Sequence, residues 1–543
     1  MSTAPSSRLS EVAALTLLVS TSLAIRLYPT LSSGLPFSTD AWPLIRNTEL
    51  LLENTPVSLS HEVFDGYNNY WPASSIFGAV FSLISGLNPM VAMSISIPAT
   101  AALGVLVFYA LARRMFKNSL AAFLASMTLT AFFPYAFFTA GVVKEAYANP
   151  IYITLILVSL TLRGWRGLAL FALSSIALSM AHHLTSAVAL MVLTSIALSS
   201  CIWALIRGLE VDWIPLALTS ILASSIVLYY VAYAHEGFKV AISPSDLVTL
   251  ASYQVLAFAL ALYVTYAHSS SIEREIDSWT SMKCLVAAAA PLLILALCTF
   301  KQVTPDAPIL PRRYILYGVP FAVSAPLALL GFRGARMLGD ELCLKPIFWL
   351  APVLGLEAYA VFGSQPAGLA LAYRTVNFIL PPLALLCGYG AYRLFSKSKR
   401  SLLKALVGLA VVLIVASSCY SAYAALRGER YMGYFWLYRA QEYESGNWIS
   451  SFLSNKVVAC DAKFAYMLKG YFGLSCNEVE GLLYLSGRIS TRPDVLVAYD
   501  WMEVNGYVIY GGYSVDLPRN WLERVYELNL VHSNGVVSVY SSH

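Results

Sequence analysis

Charge is scarce in this chain. Lys, Arg, Asp and Glu make up 12% of its 543 residues, where a soluble domain carries about 25%; the shortfall excludes an ordinary soluble globular protein. Cysteine is sparse as well. Cys201, Cys284, Cys298, Cys343, Cys387 and Cys419 lie in or near apolar runs, where cysteine serves as a small core residue. No Cys/His spacing has the form of a structural zinc site. Cys460 and Cys476 stand in the less apolar C-terminal stretch and form a disulfide candidate. The net charge is only +5, and its basic excess falls between apolar runs. It therefore marks membrane topology and gives no nucleic-acid surface. The first apolar run, residues 12–27, lacks a small-x-small cleavage site, so a removable signal peptide is not expected.

What the chain has in excess is hydrophobicity: 58% apolar residues and a mean hydropathy of +0.66. A bilayer core of about 30 Å takes about 20 apolar residues per helix, and about thirteen windows qualify: 10–28, 90–112, 119–138, 149–162, two flanking His182–His183, 213–233, 250–267, 284–299, 314–331, 346–362, 375–393 and 402–424. Arg113, Arg114, Lys117, Arg163, Arg166, Arg207, Arg333, Arg336, Lys345, Arg393, Lys397, Lys399 and Arg400 then all fall on one side. The positive-inside rule places that side, with the N-terminus, in the cytoplasm, and an odd number of spans sends the C-terminus outside. The expected fold is a polytopic α-helical membrane protein of the plasma membrane with a small external C-terminal α/β domain. Its expected divisions are a transmembrane region 1–428, with a first external loop at 29–72, and the external domain 429–543. In that domain residues 456–460 and 494–499 read as short buried strands, and 448–453 as helix. Ser533-Asn534-Gly535 between two apolar runs signals a hairpin.

The polar groups that carry chemistry lie on the expected external side. Asp40, directly after the first span, is suited to bind a metal, to activate an acceptor, or simply to cap the helix that follows; that helix, 42–54, is patterned to lie flat on a membrane surface. Lys144 and Glu145 occupy the next external turn, where Glu145 offers a second carboxylate and Lys144 a phosphate contact. His182-His183 occupies the third, as a possible metal or polar-cavity element. Arg313 and Arg374 open two later spans in a shared Arg-x6-Pro frame, and a guanidinium fork suits phosphate. Glu357 sits inside an apolar span, where a carboxylate costs about 2.5–3.5 kcal/mol. It is expected to face a polar cavity, to be protonated, or to pair with a base such as Arg374.

On these residues the chain resembles the GT-C superfamily of membrane glycosyltransferases, and most of all the catalytic subunit of oligosaccharyltransferase. Asp40, Trp42 and Arg46 match its first-loop pattern, Tyr70-Trp71-Pro72 its Tyr-Pro segment, and 109–114 its span ending in Ala-Arg-Arg. Gly141 to Glu145 stands near its second acidic turn, with valine or lysine where that family has Asp. The Trp-Trp-Asp-Tyr-Gly acceptor motif is missing, and Tyr499-Asp500-Trp501 is its nearest substitute. The resemblance implies transfer of a sugar or glycan from a polyprenyl-phosphate-linked donor to an acceptor protein or glycan, at the external face. It implies that Asp40 serves metal binding and acceptor activation and that Arg374 contacts donor phosphate. Beside the resemblance, the residues themselves suggest Asp40 or Glu145 as base or metal ligand, and Arg313 and Lys144 with Arg374 as groups that neutralise phosphate. A divalent metal, Mg or Mn, is one expectation; a metal-independent site with Lys144 in the metal's place is the other. The readings left open against transfer are a lipid or solute transporter and a non-catalytic relative.

Overall fold

The computed structural model describes residues 5–54, 66–161, 163–237, 243–267, 278–302, 308–337, 341–363, 368–397, 401–509 and 511–542. Among them, eleven helices are long and apolar enough to cross a bilayer. They become twelve spans when α5 (Ser119–Ala131) and α6 (Phe133–Ala140), bent by 64°, are taken as one. The bend has a covalent cause: Pro134 has no N–H for the carbonyl four residues back, and its ring would collide with it. The thirteenth window of the sequence is α7 (Lys144–Thr161). It is 18 residues long, about 27 Å at 1.5 Å per residue, but its first turns hold Lys144, Glu145 and Asn149, which dilute its apolar run. The chain is a polytopic helical membrane protein with a strand-containing C-terminal region.

Two compact units emerge. The first comprises Met1–Ala24, Thr100–Phe138 and Ala148–Cys419. It is a helix bundle in which Leu327, Ala328, Leu386, Cys387 and Ala391 form one buried seam between the helices Val319–Met337 and Gly368–Lys397. Elsewhere in this unit Leu228, Val255, Leu293 and Ile294 project outward, as a bilayer-facing surface requires.

The second unit comprises Ile25–Ala99, Thr139–Tyr147 and Tyr420–His543. It holds the end of α1 (Pro5–Ser33), then α2 (Ala41–Glu53), α3 (Ala73–Ser85), the start of α4 (Pro89–Phe116) and the α/β region. Its main sheet has the order β2-β1-β3-β7-β6, with β1 (Val458–Ala459), β2 (Cys476–Asn477), β3 (Val495–Tyr499), β6 (Asn529–Ser533) and β7 (Val537–Ser541). A separate hairpin pairs β4 (Tyr507–Ile509) with β5 (Tyr513–Val515). β1 runs parallel to β2 and β3, and β7 antiparallel to β3 and β6. Every residue of β3 is buried, so the strand reads as a continuous apolar run with no alternation. The hairpin at 533–535 forms where the sequence places it.

α2 departs from expectation. Ala41, Trp42, Leu44, Ile45 and Leu51 are buried, and the ring of Trp42 stacks on Tyr443 at 5.8 Å and meets Tyr438 edge-on at 5.0 Å. The apolar face of α2 packs into the α/β core, where the rings of Tyr438, Tyr443 and Tyr471 form a pocket around Trp42. Each such ring pair adds about 0.5–1.5 kcal/mol beyond its area.

Beneath β3 lies a buried polar network. Lys463 and Glu442, both fully buried, pair at 2.8 Å, and the Lys463 ammonium lies 5.0–5.4 Å from the rings of Tyr434, Tyr438, Tyr499 and Trp501. Asp461, fully buried beside it, accepts from the Tyr499 hydroxyl and from the Phe464 amide at 2.9 Å. Burial lifts the Asp461 carboxyl to about 6, against the opposing pull of those two donors. An acid whose folded pKa is raised holds its proton more tightly folded than unfolded. Its contribution to stability is full below the ordinary carboxylate range and is lost as pH rises through about 6. Thermal melts of the solubilised chain between pH 4 and 7 are therefore expected to show a stability term declining across that window, missing in Asp461→Asn. An equal slope in both chains would assign it to another group.

Candidate functional site

In the second unit three chain segments converge on Asp40. Arg26, in the last turns of α1, is only 1% exposed, and its Nε donates to Thr139 Oγ1 at 2.9 Å. The segment after α1 joins the turn before α7 by a backbone bond from the Val142 amide to the Phe37 carbonyl, 2.9 Å. It joins the C-terminal segment by another, from the Ser38 amide to the Trp436 carbonyl, 2.9 Å. The first external loop of the sequence and its second external turn are thus in contact.

Ser38 has φ +108°, and among the described non-glycine residues only Lys117 shares a positive φ. Such a backbone costs about 1–3 kcal/mol and persists where its surroundings enforce it. Here the Trp436 carbonyl holds Ser38 from outside, while the Ser38 hydroxyl accepts from the Asp40 amide at 3.2 Å. Asp40 follows at the N-cap of α2, but its φ of −67° and ψ of −13° are already helical and its side chain makes no capping bond. The half-buried carboxylate is therefore not spent on the helix.

Lys144 and Glu145 open α7 and are 8% and 7% exposed. The Lys144 ammonium lies over the Tyr67 ring at 3.9 Å and 5.5 Å from that of Trp71, within cation–π range of both. Glu145 lies in the helix's first turn, where the dipole favours a carboxylate. Among the described residues no three His, Cys, Asp or Glu side chains gather to hold a metal. Two carboxylates with a buried lysine do not fit a divalent ion held by protein ligands.

The remaining candidates belong to the first unit. Glu357 accepts a hydrogen bond from the Thr375 hydroxyl, the neighbour of Arg374. Arg374, half-buried, donates from Nε to the Tyr373 hydroxyl at 3.3 Å, and Tyr373 stacks on Phe138. Arg313 lies exposed near the Tyr314 ring. His182 and His183 stand where the helix Gly164–Ala181 gives way to His183–Arg207. His182 is 2% exposed and its Nδ1 meets Thr185 Oγ1 at 2.7 Å. None of these side chains lines the cavity of about 330 Å³ bounded by Arg163, Trp203, Asp212, Glu341 and Lys345. In that cavity Lys345 is already engaged by Glu341, Ser199 and Ser200.

In the α/β region Cys460 and Cys476 are free thiols, and burial pushes the Cys460 thiol well up. Tyr499-Asp500-Trp501 ends β3. The Asp500 carboxylate is held by Arg439 at 2.6 and 3.0 Å and accepts from the Trp501 amide at 2.8 Å.

Arg26 and Trp436 are the site residues that sequence reasoning passed over. Arg26 carried a readable signal, a charge within an apolar span. Trp436 carried none, since its role depends on a contact nearly 400 residues away.

No family model matches the chain, and no curated protein matches it in sequence. Solved structures do. An oligosaccharyltransferase from Archaeoglobus fulgidus, tethered to an acceptor peptide with the NVT sequon, superposes with a TM-score of 0.59 at 13% identity, over 98% of this chain and 74% of that one. The oligosaccharyltransferase AglB of the same organism, in complex with an inhibitory peptide and a dolichol-phosphate, gives 0.55 at 12%, over 92% and 70%. A complex of the Archaeoglobus enzyme with Zn and sulfate gives 0.56 at 14%, over 90% and 68%. At such identities the likeness is one of fold, and the fold of this chain is that of the Archaeoglobus fulgidus oligosaccharyltransferase.

Proposed function

We propose that the chain is a glycosyltransferase that moves a sugar or glycan from a polyprenyl-phosphate-linked donor to an acceptor at the external membrane face. The observation that carries this reading is the Asp40 carboxylate, kept out of helix capping and borne by a strained loop that pairs with the Lys144–Glu145 turn. The dolichol-phosphate bound by AglB supports a lipid carrier of this class. In this reading residues 1–428 span the plasma membrane from a cytoplasmic N-terminus, and 429–543 lie outside.

The proposed reaction is a displacement at the anomeric carbon. Asp40, or Glu145 beside it, takes the proton of the acceptor nucleophile as its bond to the sugar forms. The bond from sugar to lipid phosphate breaks, and the phosphate leaves with its electron pair. Lys144 offsets the charge that grows on the departing phosphate. In this reading Lys144, whose ammonium lies over the Tyr67 ring, takes the place of a metal.

The test uses membranes containing the full chain, loaded with radiolabelled polyprenyl-monophosphate sugar. Label is expected to leave the lipid at a rate that EDTA changes less than twofold and that Lys144→Ala lowers about 100-fold, the scale of one lost oxyanion donor. A rate that needs a divalent ion and survives Lys144→Ala would overturn the metal-free reading.

A further inference from the structure

The contact between Trp436 and the Asp40 loop is more specific than packing requires. The Trp436 carbonyl accepts from the Ser38 amide, and its ring meets Phe37 edge-on at 5.5 Å. The same ring lies against Gly141: a Cβ there would come within 2.8 Å of Trp436 Cζ3 and 3.4 Å of Ser38 Cβ. The first distance is one that real Cβ atoms do not adopt, and the second is already van der Waals contact. Only glycine lets the Lys144–Glu145 turn, the Trp436 ring and Ser38 approach this closely. Ser38 sits in the middle of this clasp with a positive φ and passes the constraint on through its hydroxyl to the Asp40 amide.

We propose that Trp436, seated on Gly141 and Ser38, is a positioning residue that fixes the Asp40 carboxylate for reaction. The inference rests on the role given to Asp40 above. Trp436 does not touch the reacting atoms in this scheme. It holds Ser38 in a conformation that the chain would not adopt unaided, and so sets the direction in which α2 begins and its first carboxylate points. A displacement of about 1 Å at a reacting group costs on the order of 100-fold in rate, so a clasp of this kind reads out in turnover far more than in binding. It also makes turnover depend on the segment leading into the α/β region.

The experiment is a double-mutant cycle in the full chain, reconstituted in lipid and supplied with labelled polyprenyl-monophosphate sugar. Gly141→Ala and Trp436→Ala are each expected to lower kcat about 10- to 100-fold, with donor KM within about twofold. The double variant is expected to be no slower than the worse single, because both changes break one contact. Trp436→Phe, which keeps a flat ring on Gly141, is expected to restore most of the rate. The inference is overturned if the two effects multiply, if donor KM rises as kcat falls, or if Trp436→Phe is as slow as Trp436→Ala. If Asp40→Asn transfers at the parent rate, the role of Asp40 falls and takes this inference with it. If Asp40→Asn is inactive while the Trp436 variants are unaffected, the clasp alone is wrong.

Discussion

Asp40→Asn is expected to lower sugar transfer about 1,000-fold while leaving the protein as stable as the parent. The size follows from the loss of a proton acceptor at the nucleophile, worth about 100- to 10,000-fold. The stability follows from the geometry. The side chain makes no capping bond, and Asn is a cap of equal quality in any case; a surface change of this sort falls within about 0.5 kcal/mol. The contrast is the informative part. A single-turnover measurement of label leaving the lipid, set beside a thermal melt, separates a catalytic carboxylate from a structural one. If rate and melting temperature fall together, Asp40 is holding the loop. If neither changes, Glu145 is the next acid to replace.

A second large effect is expected far from any chemistry. Glu442→Gln should destabilise the α/β region by about 3–5 kcal/mol, the cost of leaving a buried charge without its counterion. Lys463 is fully buried among four rings, and the one further acid acting on it, Asp461, has its own carboxyl pushed up by burial to about 6 and so offsets the charge weakly. Burial already pushes the Lys463 amine down, and Glu442 is the main group holding it up. Lys463→Met should cost less, since Glu442 keeps the Arg439 guanidinium at 3.4 Å and the Arg439 amide at 2.9 Å. The pair Glu442→Leu with Lys463→Met should recover much of the loss, because apolar groups of similar volume need no desolvation. Limited proteolysis of the intact protein across a denaturant series measures all three. Equal losses in both single variants would mean that the pair, and not the lone charge, carries the energy.

The membrane spans were legible because hydrocarbon demands a long apolar run, a requirement that any window of the sequence reports locally. The hairpin at Asn534-Gly535 was legible for a related reason, since turn chemistry is local too. α7 shows the limit of counting. Its first turns carry Lys144, Glu145 and Asn149, and these polar residues dilute the apolar run by which a span is counted. α2 shows another limit. Its amphipathic pattern reveals that one face is buried, but not in what, and a membrane surface and the Tyr438–Tyr443 pocket satisfy the same periodicity. Asp40, Lys144 and Glu145 stand out in sequence as charges beside apolar runs. Ser38 does not, because a positive φ at serine has no compositional trace, and the Lys463–Glu442 pair looks like two ordinary surface residues until the fold buries it.

The packing of α2 also sets an order of events. Glu49 accepts a hydrogen bond from the Tyr471 hydroxyl at 2.8 Å, across 422 residues of chain, and Trp42 rests on Tyr438. At about 5–20 residues per second of synthesis, some 20–80 s separate the two halves of that contact at the ribosome. During this interval Trp42 lacks Tyr438 and Tyr443, and the Ser38 amide lacks the Trp436 carbonyl that helps hold its strained angle. The segment bearing Asp40 is thus assembled last although it is made first. A nascent chain cut short before residue 436 would carry every apolar window and every candidate carboxylate, yet lack the groups that seat its first loop.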